Sequence, residues 1–64
     1  MIVNGKKTDF KPGESLSEFL KEKGYRIEVI AVELNGEIIA KESFDTTLLK
    51  EGDVMEVVTF MGGG

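Results

Sequence analysis

The side chains that most often carry chemistry in small proteins are missing here: the 64 residues include no cysteine and no histidine. That removes the thiolate nucleophile, the disulfide, the imidazole base and any metal held by Cys or His. Carboxylates are plentiful, and Asp9 with Glu14, or Glu51 with Asp53, has the spacing of an acid/base pair or a divalent-cation loop. Each pair flanks a turn, where polar groups belong, and none is expected in the apolar surroundings that would raise a carboxyl pKa. Ser15, Ser17 and Ser43 have no histidine to activate them. The reading is therefore no catalytic side chain, no metal site and no cofactor bound by the chain itself.

One reactive group is left, the α-carboxylate of Gly64, preceded by Gly62 and Gly63. Ionised at neutral pH it is a poor electrophile. Converted to an acyl adenylate by a partner that uses ATP, it becomes an acyl donor for a sulfur or nitrogen nucleophile. Glycines suit such a tail, because backbone without Cβ threads a narrow channel and approaches catalytic atoms closely. Fully extended, Met61 to Gly64 spans at most about 13–14 Å, enough to enter a partner's pocket while the body stays outside.

The elements that must position this tail are legible from period and turn chemistry. Met1–Val3 is a short β-type run, Asn4-Gly5 is a hairpin signal, and the chain is expected to double back through Lys6 to Phe10. Pro12-Gly13 makes a turn, and Ser15-Leu16-Ser17-Glu18 fits a capping box that opens a helix. Leu16, Phe19 and Leu20 form one apolar stripe, and Gly24 followed by Tyr25 suits a Schellman ending. From Ile27 the period becomes two, running to a second hairpin signal at Asn35-Gly36 and on into Glu37–Ile39. Phe44–Leu49 lacks a clean period and reads as a short helical turn or packed loop, anchored by Phe44 and by Leu48 or Leu49. Glu51-Gly52-Asp53 is a turn, and Val54–Met61 is a final strand.

One helix with one stripe covers one face of one sheet, so the expected fold is α+β: a single β-grasp domain over residues 1–64, with a mixed sheet of four or five strands. A small barrel is the alternative. By analogy with the fold class, the last strand lies centrally and parallel to the first, and the Gly62–Gly64 tail projects as a flexible arm. Met55 and Val57 would then face the helix. Val58 and Phe60, with Met61 and the neighbouring Ala31, would form an outer apolar patch for docking a partner. The net charge of −4, twelve acids against eight bases, argues against nucleic-acid binding. No apolar run approaches the ~20 residues of a membrane helix, and the start lacks a leader pattern, so the expected location is cytoplasmic.

The ending Glu51-Gly52-Asp53-Val54-Met55-Glu56-Val57-Val58-Thr59-Phe60-Met61-Gly62-Gly63-Gly64 resembles the ThiS family of sulfur carriers in thiamine biosynthesis, and so does Ala31–Ile39. The likeness extends over the whole chain in length, strand order and turn placement. It implies a ubiquitin-like β-grasp carrier, not an enzyme. Gly64 would be adenylated by an E1-like, ThiF-type enzyme using ATP, converted to a thiocarboxylate with sulfur from a donor such as a cysteine desulfurase, and used by a ThiG-type thiazole synthase. Gly62 and Gly63 would lie in the partners' channels, and the free carrier would be a monomer. Ala40 departs from the family, where many relatives have proline. Other destinations stay open at this point: the small subunit of molybdopterin synthase, a modifier forming isopeptide bonds through the same glycine, or an interaction module with an idle tail.

Overall fold

A computed structural model describes residues 1–60; the expectations for Met61, Gly62, Gly63 and Gly64 lie outside the described residues. Five strands and one helix follow in the order β1 (Ile2–Val3), β2 (Lys6–Lys7), α1 (Leu16–Glu22), β3 (Ile30–Leu34), β4 (Glu37–Ile39) and β5 (Val54–Thr59). They form one mixed sheet in the order β2-β1-β5-β3-β4. The last strand is thus central, parallel to β1 and antiparallel to β3, as the β-grasp reading requires.

The helix begins where its cap says it should. Ser15 Oγ accepts from the Glu18 N–H at 3.1 Å, and Glu18 Oε1 accepts from the Ser15 N–H at 3.3 Å, closing the capping box. The two N–H groups that no cap side chain reaches are taken by the irregular segment before β5. Leu16 N–H donates to Thr47 O at 2.7 Å and Ser17 N–H to Phe44 O at 3.1 Å. At the other end, Tyr25 N–H donates to Leu20 O and Gly24 N–H to Lys21 O, the pair of bonds of a Schellman motif, with Gly24 at φ +84°. Leu16, Phe19 and Leu20 are completely buried against Val3, Ile30, Val32, Met55 and Val57. Each contributes about 1.5–3 kcal/mol of burial, which is what holds so short a helix in place.

The structure refines several expectations in detail. Ile27–Val29 is a 3-10 turn, closed by Val29 N–H on Arg26 O at 3.1 Å, so the alternating strand starts at Ile30. Of the two readings of Phe44–Leu49, a helical turn or a packed loop, the packed loop holds, and a 3-10 turn lies just before it at Lys41–Ser43. Of the two candidate anchors Leu49 is buried and Leu48 is exposed, because Leu48 bridges Ser15 in extended geometry and successive side chains there point opposite ways. The second strand is also shorter than Lys6–Phe10, with Thr8 N–H on Met1 O as its last ladder bond. Ala40 sits at φ −68°, ψ 144°, a torsion that a proline would also hold.

Candidate functional site

The site is the outgoing end of β5 and the sheet face beside it. In β5, Met55 and Val57 are buried under α1, while Val54, Glu56 and Val58 face outward. Val58 lies directly opposite Ala31 in the antiparallel register, so the two residues assigned to the outer patch are neighbours on one surface. Val58 and Phe60 are each 58% exposed. Phe60 is nevertheless fixed: its N–H donates to Val29 O at 2.9 Å, and the Lys41 ammonium stands 5.3 Å above the ring centroid. Lys41 Nζ also donates to Glu28 O at 2.9 Å, so it ties the end of β5 to the 3-10 turn that precedes β3. Of the expected patch, Val58 and Ala31 are paired on the outer face and Phe60 is exposed at the end of β5; Met61 and the tail glycines lie outside the described residues.

Two asparagines aim β5, a role beyond the hairpin turns that their Asn-Gly pairs mark. Asn4 and Asn35, at φ +51° and +52°, open the two hairpin turns. Their side chains reach across to the central strand. Val57 N–H donates to Asn4 Oδ1 at 2.8 Å and Asn4 Nδ2 donates to Val57 O at 3.2 Å, which extends the β1–β5 pairing beyond the end of β1. Val54 N–H donates to Asn35 Oδ1 at 2.9 Å while Asn35 N–H donates to Val54 O at 2.7 Å. Each amide serves as donor and acceptor to β5 or its flank, a role glycine cannot fill.

The acids considered for chemistry are also placed. Asp53 is not a solvated turn residue: it is 1% exposed. Burial pushes its carboxyl pKa up, but hydrogen bonds from Asn35 Nδ2 (2.9 Å), Lys50 N–H (2.9 Å) and Lys50 Nζ (3.2 Å), with the charge of Lys50, outweigh it and hold the carboxyl below the usual range. It is a structural anchor for the start of β5, remote from Glu51 in environment although two residues away. Glu14 is buried too, its Oε2 accepting from Lys11 N–H, whereas Asp9 is exposed, so the two members of each pair sit in different surroundings. Among the described residues no three or more His, Cys, Asp or Glu come together as a metal site, and no helix is long and apolar enough to cross a membrane. Ile38, 81% exposed, extends the outer patch and was missed, because only the register with Glu33 shows which face of β4 it occupies.

Comparison with known proteins fits this geometry. The chain is 34% identical over 64 residues to a thiazole synthase of Paramagnetospirillum magneticum, of whose length it spans only 20%. It is 35% identical over 63 residues to the sulfur carrier protein ThiS of Bacillus subtilis, covering 97% of this chain and 96% of that one. The crystal structure of the thiamine biosynthesis protein ThiS from Geobacter metallireducens superposes with a TM-score of 0.79 at 42% identity, covering 98% of this chain and 96% of that one. A model of the ThiS family matches residues 1–64. With its ubiquitin-like β-grasp fold, the chain belongs to the ThiS family.

Proposed function

We propose that this protein is a sulfur carrier of thiamine biosynthesis whose working group is the α-carboxylate of Gly64. A carboxylate oxygen attacks the α-phosphorus of ATP on an E1-like, ThiF-type enzyme, giving the acyl adenylate and pyrophosphate. A sulfur nucleophile, hydrosulfide or its equivalent from a desulfurase persulfide and a reducing thiol, then attacks the acyl carbon and expels AMP. The resulting thiocarboxylate delivers sulfur to a ThiG-type thiazole synthase. The chain is a co-substrate throughout, acting in the cytoplasm, and the partners supply ATP and catalysis.

The observation that carries this reading is the position of exposed Val58 and Phe60 at the outgoing end of the central strand, just before Gly62–Gly64 in the sequence. A rigid strand with an apolar docking face delivers a terminal carboxylate to a fixed place, at most about 13–14 Å beyond Phe60. The relation to the thiazole synthase of P. magneticum supports that enzyme as a partner, since there a segment like this one is part of the same chain. The test is intact-mass analysis after incubation with ATP, a sulfur donor and the activating enzyme: replacement of one oxygen by sulfur is expected, and none after deletion of Gly64. Unchanged mass in the full chain overturns the reading.

A further inference from the structure

The outer sheet face has a polar centre that the fold itself does not favour. Glu33 on β3 and Glu56 on β5 are direct partners in the antiparallel register and both are exposed. Like charges directly opposite destabilise a sheet. No cation among the described residues forms an ion pair with either; the two ion pairs join Lys11 to Glu22 and Lys50 to Asp53. Beside the two carboxylates lies a hollow of about 120 Å³, lined by Ala31, Val58 and Ile38 as well as by the glutamates.

An apolar hollow rimmed by two carboxylates fits one kind of guest, a long cationic side chain whose methylenes lie on Ala31 and Val58 while its head meets Glu33 and Glu56. Arginine suits it best, since the planar guanidinium offers donors to both carboxylates at once and is weakly hydrated. A second copy of this chain in a symmetric pairing would bring four carboxylates together, which charge repulsion opposes. We infer that this face docks thiazole synthase through an arginine of that partner seated between Glu33 and Glu56, against Ala31, Val58 and Ile38. The inference rests on the carrier reading for its choice of partner. In such a complex the guanidinium relieves the repulsion between the two carboxylates that the free chain bears.

The test is the affinity of purified thiazole synthase for the full-length chain and for the E33Q/E56Q variant, across a range of salt, with a thermal melt of each free protein. The expected result is affinity at least about tenfold weaker and a flatter salt dependence, with a melting temperature equal to or above that of the unaltered chain. Ala31→Leu, which fills the hollow and leaves the charges in place, is expected to weaken binding as well. Equal affinity and equal salt dependence in E33Q/E56Q overturn the inference, as does absence of binding by the unaltered chain. An unaltered chain that binds with the expected variant effects but never acquires sulfur overturns the carrier reading and leaves the docking face supported.

Discussion

Replacing Asn4 by glycine tests whether the turn asparagines hold the central strand. Glycine keeps the φ of +51° and the backbone bond from residue 4 to Met55 O, and removes only the amide that pairs with Val57 at 2.8 and 3.2 Å. At about 1 kcal/mol for each bond, the direct loss is about 2 kcal/mol, since Val57 N–H and C=O lose their partner at a partly buried strand edge. Relief of positive-φ strain in glycine returns up to about 1 kcal/mol. The net effect is a destabilisation of about 1–2 kcal/mol, and in a domain this small a fall of about 5–15 °C in melting temperature. Thermal melts followed by circular dichroism measure the fall, and amide exchange locates it. The Val57 amide should exchange faster than global destabilisation accounts for, whereas the Phe60 amide, bonded to Val29 O, should follow the global change alone. A variant as stable as the parent, with Val57 equally protected, refutes the clamp.

The remaining predictions concern charge and docking. Because the folded pKa of Asp53 lies below its unfolded value, its stabilising contribution is complete above about pH 4 and is lost as pH falls through the depressed folded value. Asp53→Asn should therefore be less stable at neutral pH and show a flatter decline on acidification; equal slopes below pH ~4 would remove Asp53 from the account. Phe60→Asp should leave the melting temperature nearly unchanged, because the ring is exposed and Asp can still meet Lys41, while weakening binding to the activating enzyme at least about tenfold. Unaltered affinity would exclude Phe60 from that interface.

What the sequence made legible was local or periodic. The capping box at Ser15, the Schellman ending at Gly24, both Asn-Gly turns and the two faces of β5 are statements about residues a few positions apart, and all hold in the structure. The pairing of Val58 with Ala31 follows from the central position of the last strand. What escaped depends on partners distant in sequence. Asn4 meets Val57 across 53 positions and Asn35 meets Asp53 across 18, so the same letters that mark a turn gave no sign of a second role on β5. Asp53 looked solvated because an acid beside a glycine usually is; its burial depends on the Asn35 amide and on the folding of Lys50 over it. The choice between Leu48 and Leu49 likewise waited on which of them bridges Ser15. Ile38 and the Glu33–Glu56 pair required strand register, which alternation alone leaves open.

The central claim is that the fold exists to present one carboxylate for sulfur loading. Intact-mass analysis of the full chain after incubation with ATP, a sulfur donor and a ThiF-type enzyme tests it most directly. The account predicts a mass gain equal to one oxygen replaced by sulfur, located at Gly64 by fragmentation and absent without ATP. A chain that keeps its original mass, or that is recovered instead joined through Gly64 to lysines of other proteins without any thiocarboxylate, would contradict it.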